Sequence, residues 1–444
     1  MSFQFDCFLV IPHASRSRVL LVRDGLACML PHFVFTEDHF GIVDHVNRAA
    51  LERLGLSLTV RRCLFYDCQP DHIQAIYLME THTAVEPTMG QWVRWEDAAS
   101  LPLKPIEHRP YATSFAVESV MAQDKTPLPV FTYPGWYDAT IAWVEERLGH
   151  VRRRVVGPVE QIRLWQRCCL LRVPTDQGAT FLKAVSGPFS LEPALTRELS
   201  RLLPGRVPQV LGADEGRGLL LTADFGGATL DNSDEIAVWE KVAQEYAWLQ
   251  IACAQQTDPW LAAGCPDRSL SVLTEQICCL LADLHKGDYG LSSAQAARFQ
   301  SLGPNLTVAC EKLAVVGLPA TLSHGDLCAG NVVVTASGPL FFDWSDASLS
   351  HPFFDLFWLL HSVEARFPNS PEVRQRLQEA YLEPWTSFAP KERLREAYAL
   401  SLPLAAMHHA FTYVHYLLPN VEVNWEMADL VPFFLGEALA IYEA

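Results

Sequence analysis

Short apolar runs follow one another through the first eighty residues. They are Cys7-Phe-Leu-Val-Ile11, Val19-Leu-Leu-Val22, Val60 to Tyr66 and Ala75-Ile-Tyr-Leu78. Their length and β-branched content predict strands. Between them, Asp44 to Arg53 carries a helical pattern that stops at Gly55, a residue suited to a left-handed helix end. Pro127, Pro129, Pro134 and Gly135 then crowd one short stretch and predict a linker. Beyond it, Trp136 to Leu148 reads as an amphipathic helix and Val155 to Val185 as three strands. Val207 to Leu211 and Gly218 to Leu221 read as two more. From Trp239 onward the period is helical, as in Trp239 to Cys253, Leu270 to His285, Val373 to Leu382 and Lys391 to Phe411. The pattern divides the chain into residues 1–120, a linker over 121–135, a β-rich part with a leading helix over 136–228, and a helical part over 229–444.

Composition narrows the class. The 444 residues are 50% apolar and 19% charged, enough for several ordinary globular cores. No run is long and apolar enough to span a bilayer. Met1-Ser-Phe-Gln-Phe-Asp6 has no basic start and an early acid, so a cytoplasmic protein with no membrane partner is expected. The twelve cysteines are scattered without a CxxC or a zinc spacing, and even the near pair Cys63 and Cys68 lacks a second half. They read as reduced thiols. A formal charge of −17 argues against nucleic acid as a partner and would suit a cationic small molecule.

The chemistry concentrates in Thr321-Leu-Ser-His324-Gly-Asp326-Leu-Cys-Ala-Gly-Asn331, followed by Leu340-Phe-Phe-Asp343-Trp344. His324, Asp326 and Asn331 have the order and spacing of a kinase catalytic loop, and Asp343 stands where a kinase keeps its second magnesium ligand. Val332 to Thr335 and Leu340 to Phe342 predict a hairpin about Ala336-Ser-Gly338. Centred on Ser337, it would oppose Asn331 and Asp343 at about 5 Å. An amide oxygen and a carboxylate would then suit Mg²⁺. Asp326, ionised above pH ~4, can accept a proton from an attacking hydroxyl. His324 shares the catalytic loop, as a brace more than a proton donor.

These residues resemble the aminoglycoside phosphotransferase and choline kinase-like family, with the likeness continuing through Ser345-Asp-Ala347 and His351-Pro-Phe-Phe-Asp355-Leu356. The resemblance covers roughly residues 135–444. It implies an α+β, bilobal, protein-kinase-like fold, with a small β-rich lobe and a large helical lobe that binds the acceptor. It also implies that Asp355 braces the catalytic loop. Cys328 departs from the pattern, since many relatives carry a histidine there. On the same reading, Lys183 in Thr180-Phe-Leu-Lys183-Ala-Val185 contacts the nucleotide phosphates and pairs with a helix glutamate. Glu192 is preferred to Glu198, because Pro193 suits a first helical turn. Asp224 lies in the crossover where adenine meets backbone. No GxGxxG precedes Lys183, so the sequence does not locate the nucleotide-covering loop, for which Leu164-Trp-Gln-Arg167 is one candidate. His408, His409 and His415, and Glu426 and Asp429, are secondary candidates that a plain core or solvated face also explains.

Residues 34–56 resemble an eroded Nudix box. Arg48, Glu52, Gly55 and Leu56 match it, whereas Ala49 and Arg53 replace two helix carboxylates, and Val34 and Phe40 replace its opening glycine and upstream glutamate. This implies an α/β Nudix-like domain ahead of the kinase-like part. An arginine where a cation should sit argues against hydrolysis.

The expected function is transfer of the γ-phosphate of ATP or GTP to a hydroxyl of a small molecule. Asp326 is the base, Asn331 and Asp343 hold Mg²⁺, and Lys183, Glu192 and Asp224 serve the nucleotide. The alternatives are a kinase-fold nucleotide-binding regulatory module and a diphosphate hydrolase working through the Nudix-like domain.

Overall fold

Two strands far apart in sequence, paired in parallel, organise the amino-terminal part. The computed structural model describes residues 4–36, 39–113, 128–284, 289–421, 427 and 429–443. It divides into two compact units, Met1–Gly187 with Leu219–Leu221, and Pro188–Gly218 with Thr222–Ala444. Residues 121–127 of the expected linker, residue 285 of the expected helix from Leu270, and Glu426 lie outside the described residues. Among the described residues no helix is long and apolar enough to cross a membrane.

The first unit begins with β1 (Gln4–Val10), β2 (Arg18–Asp24), β3 (Ala27–Met29), β4 (His32–Phe35), α1 (Asp44–Leu54), β5 (Leu58–Gln69), β6 (His72–Thr81), β7 (Gln91–Arg94), α2 (Trp95–Ala98) and α3 (Arg109–Thr113). One mixed sheet runs β4-β1-β6-β5, and a second runs β3-β2-β7. β1 pairs in parallel with β6, from Gln4 against His72 to Val10 against Leu78. Such a central strand is covered on both faces, which explains the unbroken apolar run Cys7 to Val10. Helix α1 ends as expected at Gly55, with φ 69°.

The unit continues with α4 (Trp136–His150), β8 (Glu160–Leu164), β9 (Cys168–Thr175) and β10 (Gly178–Val185). These three strands form antiparallel pairs. The two halves of the unit are hydrogen-bonded together. Val43 N–H donates to Ile162 O at 3.0 Å, and Leu164 N–H to Gly41 O at 2.8 Å. Buried Gln161 supplies what an absent neighbouring strand would. Its Nε2 donates to Val60 O at 2.8 Å, and its Oε1 accepts from Val60 N–H at 2.8 Å and from Asn47 Nδ2 at 3.1 Å. The segment before α4 is also held, since Phe131 is buried and buried Arg61 donates through Nε to Thr132 O at 2.9 Å.

The second unit comprises α5 (Glu192–Leu202), β11 (Val210–Asp214), β12 (Leu219–Ala223), β13 (Ala228–Thr229), α6 (Ile236–Ala254), α7 (Asp258–Ala262), α8 (Leu270–Asp283), α9 (Ser293–Val316), β14 (Thr321–Ser323), β15 (Val332–Thr335), β16 (Gly338–Phe341), β17 (Ser348–Ser350), α10 (Leu356–Arg366), α11 (Pro371–Leu382), α12 (Lys391–Phe411) and α13 (Leu430–Glu443). The central leucines of β12 cluster with the first unit. The chain is thus mixed α+β, with strands dominant early and helices late. Helix α6 packs on α11, and α12 packs on α9 and α13. Their shared core encloses Trp239, Trp260, Trp344, Trp385, Tyr246 and Tyr381, all fully buried. Two short pairings, β13-β15-β16 and β14-β17, are set into this helical mass.

Among the described residues of the second unit four histidines are buried, His324, His351, His408 and His409. Burial holds each below the ordinary imidazole range, with His351 and His409 down to about 3. They stay uncharged in the folded protein, while the unfolded chain binds protons below pH ~6.5. Stability is therefore full above that value and falls as pH drops below it, by about 1.4 kcal/mol per pH unit for each such histidine. Urea unfolding should show a clearly lower midpoint at pH 5 than at pH 7; equal midpoints would contradict this account. Gln161→Leu should destabilise the protein by about 2–5 kcal/mol in guanidinium unfolding, because both backbone groups of Val60 lose their partner.

Candidate active site

The predicted catalytic-loop residues lie between two short strands. β14 leads into His324, and β15 begins directly after Asn331. Between them the chain must turn sharply, and Gly325 permits it. Its φ is 80°, and a Cβ there would stand 2.1 Å from Asp346 O, so no other residue fits without displacement.

One buried carboxylate holds this turn. Asp355 Oδ2 accepts from Tyr246 OH at 2.5 Å, Gln250 Nε2 at 3.0 Å and His324 N–H at 3.1 Å. Its Oδ1 accepts from Ser323 Oγ at 2.6 Å and Gly325 N–H at 3.0 Å. The second ring is also fixed. Tyr381 OH donates to Gln250 Oε1 at 2.5 Å, and Thr321 Oγ1 to Gln250 O at 2.5 Å. Burial, then the charge of Asp355, pushes the Tyr246 phenol well above its usual range, so it remains a donor.

His324 is fully buried against Trp344, with ring centroids 4.6 Å apart. Its Nε2 lies 2.9 Å from Phe342 O, which only an N–H can satisfy. Nδ1 is then the acceptor for Asp326 N–H at 3.4 Å. The histidine joins the loop to the strand bearing Asp343. An uncharged ring used at both nitrogens is a brace.

Asp326 is half-buried, and Asn331 Nδ2 donates both to its backbone oxygen at 2.9 Å and to its Oδ2 at 3.0 Å. This fixes the amide. With nitrogen turned to Asp326, Asn331 presents its carbonyl oxygen elsewhere. Cys328 sits beside the same group. Burial, followed by the charge of Asp326, pushes its thiol up to about 12, and Asp343 adds to the effect. It is therefore a neutral thiol, not a nucleophile.

The hairpin register differs from the expected one. Thr335 pairs with Gly338 and Val332 with Phe341, so the loop is Ala336-Ser337 alone and Gly338 belongs to the strand. Asn331 then faces Phe342, whose N–H donates to Asn331 O at 3.1 Å, and not Asp343. Thr335 Oγ1 tightens the turn by donating to Gly338 O at 2.7 Å and accepting from Ser337 N–H at 3.2 Å. Asp343 comes one residue later, in a left-handed conformation (φ 66°, ψ 63°) that breaks strand alternation. Aspartate tolerates this better than most residues. Ser345 Oγ donates to its Oδ1 at 2.8 Å.

The chemistry of the Asn331 and Asp343 side chains fits a small hard cation. One neutral and one anionic oxygen make a partial shell of the kind that Mg²⁺ completes with phosphate and water. Among the described residues no group of three or more His, Cys, Asp or Glu could hold a metal.

The remaining candidates are placed as follows. Glu192 opens α5 with Pro193 in the first turn and is buried, whereas Glu198 faces Arg201 at 3.2 Å. Lys183 is half-buried in β10, in register with Leu170. Asp224 is exposed and caps its own turn by accepting from Gly226 N–H at 2.9 Å. Residues 165–167 form the tight turn between β8 and β9, where the Arg163 and Arg167 guanidiniums lie 4.7 and 4.9 Å from the Trp165 ring. His415 lies 3.9 Å from Asp283, and Asp429 is exposed. Within residues 34–56, Arg48 pairs with Asp44 at 2.6 Å and Arg53 lies 5.4 Å from the Phe33 ring.

Sequence reasoning missed Arg268. It lines a small cavity with Gly325, Asp326, Asp346, His409 and Thr412. These residues come from segments far apart in the chain. The available signal was an adjacent histidine pair inside an apolar helix.

No curated protein matches the chain. Among solved structures it is similar to a macrolide 2'-phosphotransferase type I (16% identity, 68% of this chain and 97% of that one, TM-score 0.46). It is also similar to a choline kinase from Streptococcus pneumoniae (14%, 69% and 100%, TM-score 0.48). A third is the GDP complex of an aminoglycoside 2'-phosphotransferase variant (15%, 68% and 97%, TM-score 0.44). A family model described as the phosphotransferase enzyme family matches residues 189–396, a span that holds the catalytic loop, Asp343 and Asp355.

Proposed function

We propose that the protein transfers the γ-phosphate of ATP or GTP to a hydroxyl of a small molecule. The observation that carries this reading is the catalytic loop itself, with Asp326 held by the Asn331 amide and the turn held by Asp355. The family match of residues 189–396 supports a nucleotide-using phosphotransferase.

Asp326 orients the acceptor hydroxyl and takes its proton. The hydroxyl oxygen bonds to the γ-phosphorus, the bond from that phosphorus to the bridging oxygen breaks, and its electron pair leaves with the nucleoside diphosphate. Asn331 and Asp343 are assigned to Mg²⁺, which when bound neutralises charge on the phosphates. Lys183 is assigned to the phosphates and Glu192 to positioning it, on the order of the motifs along the chain. Asp224 is assigned to the adenine-side crossover. His324 and Asp355 keep Asp326 in place, and positioning supplies most of the rate in such chemistry. The Nudix-like region is proposed to lack hydrolase activity, because Ala49 and Arg53 stand where its helix would need carboxylates to hold a cation.

The test is purified full-length protein with Mg²⁺, each nucleotide and a panel of small alcohols, read as the mass gain of one phosphate. Asp343→Asn should abolish turnover, and Asp326→Ala should lose roughly 10²–10⁴-fold. Near-normal rates in both variants would refute the assignments.

A further inference from the structure

The cavity beside Asp326 has an unusual inner wall. Arg268 is only 4% exposed, yet it lines this cavity. Its backbone N–H donates to Leu349 O at 2.7 Å, which anchors it just before α8. One guanidinium nitrogen donates to Thr412 Oγ1, and the Tyr416 ring lies 5.0 Å away. Its Nε has no acceptor among the described residues, and no carboxylate there lies within 4.0 Å of it.

A guanidinium has five N–H donors and stays charged, so burial without an anion is costly. Two neighbours are also short of partners. His408 Nδ1 and His409 Nε2 are buried without a hydrogen-bonding partner among the described residues. Thr412 and Tyr413 of the same wall lie in a π-helical turn, Thr412–Leu417, that continues α12. Such turns are rare and concentrate at functional sites. Arg268, His408, His409 and Thr412 line the same small cavity as Asp326 and Asp346, and the charge of Asp346 reaches the guanidinium.

Resting on the phosphotransferase reading, we infer that the acceptor alcohol carries an anionic group, a carboxylate or a phosphate, that Arg268 holds while the hydroxyl faces Asp326. The guanidinium attracts the anionic group, and Asp326 of the same cavity accepts from the hydroxyl. The net charge of −17 does not decide the matter, because surface charge is screened within about 8–10 Å, whereas Arg268 touches the ligand directly.

Four small alcohols of differing charge test this, namely glycerate, glycerol 3-phosphate, glycerol and choline. Binding is measured calorimetrically on the full chain with Mg²⁺ and a non-hydrolysable nucleotide, and transfer is measured separately with ATP and GTP. Glycerate or glycerol 3-phosphate should bind, and whichever binds better identifies the anionic group. Arg268→Met should weaken that binding by about 30-fold or more. Arg268→Lys, which keeps the charge but not the fork, should fall between. Anion binding that depends on Arg268, without transfer from either nucleotide, would sustain the cavity assignment and sink the kinase reading. Transfer to choline or glycerol in preference to both anions would sustain the kinase reading and overturn the anionic acceptor. Anion binding unchanged in Arg268→Met, or no anion binding by the wild-type protein, would also overturn it.

Discussion

A single carboxylate, that of Asp355, fixes the geometry on which the site depends. It is buried, and five donors from β14, α6 and the catalytic turn converge on its two oxygens. A buried charge is tolerable only when so completely satisfied. Gln250 is in turn held by Tyr381. The turn bearing Asp326 is thus defined by bonds to an atom several residues away in space and far along the chain. Losing the carboxylate would release the backbone of His324 and Gly325 together.

Much of the site was legible because its parts are local. His324, Asp326 and Asn331 lie within one short segment, and the bond from Asn331 to Asp326 spans only five residues. The strand and helix patterns also carried well, as in α12, whose bounds coincide with the expected Lys391 to Phe411. The hairpin register was not legible. Ala336-Ser337-Gly338 can form a two- or a three-residue loop, and the choice rests on Thr335 bonding across the turn. A shift of one residue exchanges the faces of a strand. Here the left-handed backbone of Asp343 resets the direction of its side chain, so pattern alone could not place it.

Arg268 shows a different limit. Nothing beside it in Asp267-Arg268-Ser269 separates it from an ordinary loop charge. Its character comes from the end of α12, more than a hundred residues onward, which covers it with two histidines and a π-helical turn. Burial changes its chemistry. The guanidinium is brought down to about 10 by desolvation, a measure of how little solvent reaches it. The same burial keeps the histidines neutral, so they do not act as competing cations.

The union of the amino-terminal sheets with β8 bears on how the protein can be divided. Bonds from Val43 and Gly41, and the side chain of Gln161 reaching Val60, cover the side of β8 that does not face β9. A fragment starting at α4 would present that strand as a bare edge, with donors and acceptors ready to capture another chain. Shortened forms lacking the first hundred residues would tend to self-associate. For this reason the amino-terminal region is a covering surface for its neighbour as well as a domain-like module.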